Sequence, residues 1–397
     1  MYRSVAMTAD SFSPAHTVAP IPLHLGSLHP SVASEIPHLF RQRGASLVDI
    51  PLLQPADPFL NVAGEDLRRR IFVTESESGQ ALCLRPEFTI PVCLNHIAQQ
   101  APTPQRYAYL GEVFRQRRAD RAEFLQAGIE DIGQADREKT DARIVSDACA
   151  SLACILPGRH LTITVGDQQI FESVLSSLGL PQVWRRRLLR AFGSRERLAR
   201  VIAELANPTD LPDAAGSTFP VEVMQDEQAL IRHVEAAMQA YGPSPLAGRH
   251  PGEIARRLLE KSELRNASIS GSVIAMIKRF LTIRAPLEQA EAHLATFAKE
   301  AAINLDAAIQ ILSARVSHIT AQCETVPKAH FDAGFGRPLD YYSGFVFEIS
   351  ASESRHTLAG GGRYDQLLSM LGAKPTIPGV GFSLALDRVT ALRGETS

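Results

Sequence analysis

A few short stretches hold the side chains that could grip a small charged molecule. In LRPEFT, Glu87 and Thr89 stand two residues apart. A carboxylate beside a hydroxyl can accept hydrogen bonds from an ammonium group. In VFRQRRADRAEFLQAGIED, Arg115 closes an apolar and aromatic run. An arginine projecting from a sheet can clamp a carboxylate or phosphate through two parallel hydrogen bonds. Gln126 and Glu130 share parity in the next run, so a strand there aims both at one side. In GRPLDYYSGFVFEI, Arg337 and Asp340 precede Tyr341 and Tyr342. Two adjacent tyrosines on a strand cannot both face the core, and the other suits a pocket with a polar floor. In LAGGGRYDQLL, Gly360, Gly361 and Gly362 permit close backbone approach to a ligand or a strand, or form a tight turn after one. This is neither GxGxxG nor a P-loop. Finally, GVGFSLALDR runs as a strand into a helix with Arg388 near its start. Taken singly, each stretch has a plainer reading as a charged strand face, a strand end, a loop or a turn. The weight comes from their order.

The elements around them form a pattern. Residues 30–43 read as a helix capped by Ser31 and ended by Gly44. Ser46–Leu53 reads as a strand, and Ile71–Glu75 with Ala81–Glu87 as a hairpin. Arg106–Gln116 and Ala122–Gly133 form a second strand pair around a short basic loop, and two helices bracket Leu161–Val165. From about Asp167 to Thr325 alanine, leucine and arginine dominate, which predicts helices broken at Pro208–Pro212 and Tyr241–Pro251. Strands return at His330–Gly336, Gly344–Ser350 and Gly379–Leu386. A strand-rich unit is thus split by a helical stretch. Its strands pair through hairpins, so an antiparallel sheet is expected.

Composition bounds the rest. The chain has 397 residues, 45% hydrophobic and 21% charged, with a net charge of −2. That length favours two or three domains, and the near-neutral balance argues against holding nucleic acid by bulk charge. The basic runs RQRRADR and WRRRLLR read first as solvated faces, with nucleic-acid binding as the weaker idea. The five cysteines form no CxxC pair and no His/Cys spacing suits zinc, so free thiols in a reducing cytoplasm are expected, with no metal. Residues 1–20 carry one arginine and no apolar run, and read as a disordered tail rather than a signal peptide. No window approaches the length of a membrane span.

LRPEFT, VFR, FLQAGIE, RPLDYYSGFVFE, AGGGRYD and GVGFSLALDR, in that order, resemble the catalytic core of class II aminoacyl-tRNA synthetases, and within them the histidyl-tRNA synthetase family. The similarity runs from about Pro20 to Arg393. It implies an α+β fold: an antiparallel sheet flanked by helices, built from 21–170 and 326–397, with a mainly helical insertion at 171–325. It also implies a histidine pocket. Glu87 and Thr89 would take the α-amino group, Gln126 and Arg115 the carboxylate, and Glu130 with Tyr342 the imidazole, with Tyr341 beside them. Arg337 falls where the family has an arginine that assists amino-acid activation, followed here by Pro338 instead of glycine.

Departures from the family pattern define the expected role. Arg117 stands where a glutamate would read the adenine amino group, and a cation cannot accept that N–H. The loop QRRADRAE is short, and no anticodon-binding domain is expected after Arg388. Arg117 and Arg388 would mark a vestigial nucleotide site. This combination is similar to one branch of the family, the regulatory subunits of ATP phosphoribosyltransferase. The resemblance implies a non-catalytic chain without cofactor. It would be required by a short-form catalytic subunit, would mediate inhibition of that subunit by free L-histidine in the first step of histidine biosynthesis, and would form a homodimer within a hetero-octamer. No tRNA partner is expected. The alternative is a stand-alone histidine-activating enzyme, since Arg115, Arg337 and Arg388 all remain.

Overall fold

The computed structural model describes residues 30–117, 121–208, 226–241, 251–323, 328–351 and 356–394. The predicted tail at 1–20, the tip of the basic loop, and most of both predicted helix breaks lie outside the described residues.

The chain begins with α1 (Pro30–Gln42), ended by Gly44 at φ +76°, a left-handed conformation that suits glycine. The predicted strand at Ser46–Leu53 splits into β1 (Ser46–Leu47) and β2 (Leu53–Pro55). Two short helices follow, α2 (Ala56–Val62) and α3 (Glu65–Arg68), then β3 (Val73–Glu75), β4 (Ala81–Leu84) and α4 (Thr89–Ala98). The long hairpin is β5 (Gln105–Phe114) and β6 (Glu123–Ile132), followed by α5 (Arg137–Ile155) and β7 (Leu161–Asp167). The helical stretch contains α6 (Gln168–Ser177), α7 (Gln182–Ala191), α8 (Arg195–Ala206), α9 (Glu227–Tyr241), α10 (Pro251–Asn266) and α11 (Gly271–Phe280). It continues through β8 (Arg284–Pro286), α12 (Ala290–Ala301) and α13 (Asp306–Gln322). The chain then forms β9 (Lys328–Asp332), β10 (Phe345–Ala351), β11 (Thr357–Arg363), α14 (Leu367–Met370), β12 (Gly379–Ala385) and α15 (Leu386–Gly394).

Among the described residues, nine strands make one sheet in the order β1-β5-β6-β12-β11-β10-β7-β9-β8, while β2, β4 and β3 form a separate small sheet. Among the described residues, only β1–β5 and β7–β9 pair in parallel; the other pairs in the large sheet are antiparallel, as the hairpin pattern predicts. Residues directly opposite in such pairs share a face. Register therefore sorts the sheet into two sides. Ala127, Ile129, Phe382, Leu384, Phe347 and Ile349 lie on one side and join the main core with α1 and α5. Phe40 meets Phe382 edge-on there, with ring centroids 6.2 Å apart. Each fully buried side chain of this kind contributes about 1.5–3 kcal/mol. The opposite side carries Tyr109, Gln126, Glu130, Gly381, Gly360 and Glu348, and this side becomes the site.

Of the two readings of Gly360–Gly362, close backbone approach holds and the turn does not: they sit inside β11, a central strand, with both its neighbours covering its backbone bonds. Two local expectations need correction. Glu87 and Thr89 are not on a strand, since β4 ends at Leu84 and Thr89 opens α4. Tyr341 and Tyr342 precede β10 in a turn, so strand alternation does not separate them; both are buried.

The helical stretch is tied to the sheet by buried charge. Arg315 of α13 donates to Asp141 of α5 and to Asp167 at the end of β7, each at 2.8 Å. Arg363 of β11 donates to the other oxygen of Asp141 at 2.6 Å. Ion pairs out of water are tolerated only when every charge is matched in this way.

Candidate functional site

The site is built on the sheet face opposite the main core. Glu130 and Gln126 project from β6, and Arg115 follows the end of β5. Gly381 of β12 lies directly across from Glu130, and a Cβ there would sit 1.7 Å from Glu130 Oε2. A Cβ at Gly360 would sit 1.9 Å from an Arg337 guanidinium nitrogen. These bare positions are the floor on which the two charged side chains lie. The roof comes from the Arg337–Tyr342 turn and from the start of α4.

All the side chains expected to hold the ligand line one cavity of about 60 Å³: Glu87, Thr89, Arg115, Gln126, Glu130, Arg337, Tyr341 and Tyr342. Arg117 and Arg388 are not on its wall. Arg117 instead lies 3.6 Å from the Phe124 ring centroid and 3.7 Å from the Asp387 carboxylate. Arg388 donates to the Thr357 carbonyl at 3.0 Å.

Glu130 is surrounded by hydroxyls. Thr89 Oγ1 donates to Oε1 at 2.7 Å, Tyr364 to Oε2 at 2.5 Å, and Tyr109 stands 3.4 Å from Oε1. Burial nevertheless pushes the Glu130 carboxyl up to about 8, with the negative charge of Glu87 adding to the rise and the hydroxyls opposing it. Glu87 accepts from the backbone N–H groups of Thr89 (2.7 Å) and Ile90 (2.8 Å) and so caps α4. Burial raises its carboxyl as well; the Ile90 bond and Arg115 hold that rise back. Arg115 Nε donates to the Pro86 carbonyl at 2.6 Å, and burial lowers its guanidinium against the pull of Glu87. Arg337 donates to Glu348 at 3.0 Å.

The cavity therefore offers two buried acids that gain by meeting cationic or N–H groups, and an arginine suited to a carboxylate. Sequence reasoning missed Tyr109, Tyr364 and Glu348. Tyr364 lies in the GGGRYD stretch, but its contact with Glu130 spans 234 positions of chain and leaves no local signal. Tyr109 shares a face with Glu130 only through the β5–β6 register. Among the described residues no group of three or more His, Cys, Asp or Glu side chains is placed to hold a metal. No helix among them is long and apolar enough to cross a membrane.

A large antiparallel sheet backed by helices, with this pocket on its open face, defines a class II synthetase-like module. The histidyl-tRNA synthetase family pattern matches residues 29–244 and 255–389. A solved structure described as an ATP phosphoribosyltransferase regulatory subunit/histidyl-tRNA synthetase from Bacillus halodurans C superposes with a TM-score of 0.61 at 18% identity, covering 90% of this chain and 77% of that one. At that identity it shows the fold. A relative from Chelativorans sp. (strain BNC1) is 55% identical over 93% of this chain and 99% of its own length. Another, from Mesorhizobium japonicum, is 54% identical over 92% and 98%. Both are named ATP phosphoribosyltransferase regulatory subunit, and the chain belongs to that family.

Proposed function

We propose that this chain is the regulatory subunit of an ATP phosphoribosyltransferase and that its cavity is the sensor for free L-histidine. The observation that carries the sensor reading is the convergence of Glu87, Glu130 and Arg115 on one small cavity. Zwitterionic histidine needs an acceptor for its ammonium, a donor for its carboxylate and an acceptor for a ring N–H. Glu87 with Thr89 suits the first, Arg115 with Gln126 the second, and Glu130 beside Tyr342 the third. Each charge-assisted bond contributes about 1.5–3 kcal/mol.

The chain does no chemistry of its own on this reading. It is required by a short-form catalytic partner and transmits histidine inhibition to it, in the first step of histidine biosynthesis. Coupling of this kind is typically worth about 1–3 kcal/mol and is reciprocal, so catalytic partner and histidine each alter affinity for the other. A homodimer within a hetero-octamer is part of the proposal. The exposed Leu47, Leu52, Leu53 and Val73 support a further apolar contact near the small sheet. A cytoplasmic site of action fits the free cysteines.

Calorimetry of the isolated chain is expected to detect histidine, and incubation with histidine and ATP is expected to give no exchange of pyrophosphate. The alternative, a stand-alone histidine-activating enzyme, draws support from Arg115 and Arg337 in the same cavity. The Arg117–Asp387 pair opposes it, because that cation stands where an adenine acceptor is needed. Histidine-dependent exchange of pyrophosphate into ATP by the pure chain would replace the regulatory reading with the enzymatic one.

A further inference from the structure

A second cavity, of about 190 Å³, lies on the other side of Arg337. Its walls carry Arg186 and Arg190 of α7, Arg197 of α8, and Arg337 itself, with Asp340 as the acidic side chain. Helix α7 buries Val183, Trp184, Leu188 and Ala191, which leaves its arginines outside. Most basic side chains around it are already matched. Arg185 donates to Ser176 at 3.0 Å, Arg187 pairs with Glu204, Arg195 with Asp332 at 2.9 Å and Arg200 with Glu196 at 3.3 Å. Among the described residues, no ion pair or side-chain hydrogen bond engages the guanidinium groups of Arg186, Arg190 or Arg197. The Asp340 carboxylate packs against Gly64, at one edge.

The frame is firm. Trp184 Nε1 donates to the Leu264 carbonyl at 3.2 Å, and Phe192 stacks on Phe171 with centroids 4.7 Å apart. The α7–α8 turn touches the Arg337 turn backbone to backbone, since a Cβ at Gly193 would lie 2.1 Å from the Arg337 carbonyl oxygen. Ser194 caps α8 and also lines the cavity, so the positive end of that helix adds to the arginines. Like charges held together in a small concave site are relieved by an anion, and guanidinium groups match phosphate oxygens in pairs.

We propose that this cavity binds a multiply charged phosphate, either pyrophosphate or the phosphate chain of a nucleotide. Because Arg337 lines both cavities, the bound phosphate competes with Glu348 for its guanidinium and so changes the affinity of the first cavity. This coupling rests on the histidine reading above; the phosphate site does not.

Calorimetry of the full chain with pyrophosphate, ATP and AMP tests it. Pyrophosphate is expected to bind, and AMP to bind more weakly because it has one phosphate. ATP binding at or above the pyrophosphate affinity assigns the site to a nucleotide chain; ATP binding below it assigns the site to free pyrophosphate. The exposed pair Arg186→Glu/Arg190→Glu, and separately Arg197→Gln, should each weaken binding about tenfold or more. Arg200→Glu, paired with Glu196 outside this cavity, should change it less than about twofold. Circular-dichroism melts verify that each variant is folded. Equal affinity in wild type and both cavity variants, equal loss in Arg200→Glu, or no binding of any phosphate overturns the site. With the site intact, saturating pyrophosphate should shift histidine affinity about fivefold or more. An unchanged histidine affinity overturns the coupling. Absence of histidine binding alongside arginine-dependent phosphate binding overturns the histidine reading and leaves this site standing.

Discussion

Replacing Glu130 with glutamine should make the empty chain more stable and less able to hold histidine. Burial raises the Glu130 carboxyl to about 8, against about 4.3 for a free glutamate. The folded state therefore keeps the proton over a range in which the unfolded chain gives it up. Stability from this group is fully present below the unfolded value and is lost as pH rises through about 8. The gap is close to four pK units, and at about 1.4 kcal/mol per unit the loss approaches ~5 kcal/mol in weakly alkaline buffer. Glutamine has the same shape and does not titrate, so Glu130→Gln escapes that loss. Its amide still meets the hydroxyls of Thr89, Tyr109 and Tyr364, which can turn to accept or donate. Unfolding entropy of roughly 2.1 cal/mol/K per residue makes 1 kcal/mol worth about 1 °C in a chain of this length. Thermal melts should thus show the variant nearly level with wild type at pH 5, and up to about 5 °C higher at pH 8.5. Calorimetry at pH 8.5, where the wild-type Glu130 is largely ionised, should show histidine affinity down by roughly ten- to a hundredfold, the cost of losing a charged acceptor, and a smaller difference at pH 5. A melting difference that stays constant from pH 5 to pH 8.5 would refute the argument, because it would mean that Glu130 does not titrate in that window.

Other perturbations follow from the same geometry. Gly381→Ala places a methyl group on Glu130 Oε2; overpacking of this kind costs about 1–3 kcal/mol, and both the melt and histidine titration should register it. Arg117→Glu supplies the acid that the synthetase pattern expects but sets it beside Asp387, so histidine-dependent pyrophosphate exchange is expected to stay absent and the melting temperature to fall by about 1 °C. Arg315→Ala removes the ion-pair partner from one oxygen each of the buried Asp141 and Asp167, leaving Asp141 only Arg363; denaturant unfolding should show a loss of about 3–5 kcal/mol. Replacing Glu348 with glutamine weakens the hold on Arg337 and should change histidine affinity by about threefold or more, read by calorimetry.

What the sequence by itself determined was local. Strand parity in FLQAGIED placed Gln126 and Glu130 on one face, and the β5–β6 hairpin and α1 with its terminal glycine followed from patterns a few residues long. Motif order picked out eight side chains that line one cavity. Tertiary structure decided the rest. The glycines of LAGGG left close backbone approach and a tight turn both open, and only the pairing of β11 with β10 and β12 decides for the first and makes room for Arg337. Glu87 read as the end of a strand and became a helix cap once α4 began at Thr89. Tyr364 reaches Glu130 across 234 positions of chain. The strongly raised Glu130 carboxyl comes from desolvation by segments far apart in sequence, a sum over neighbours that no short pattern can carry.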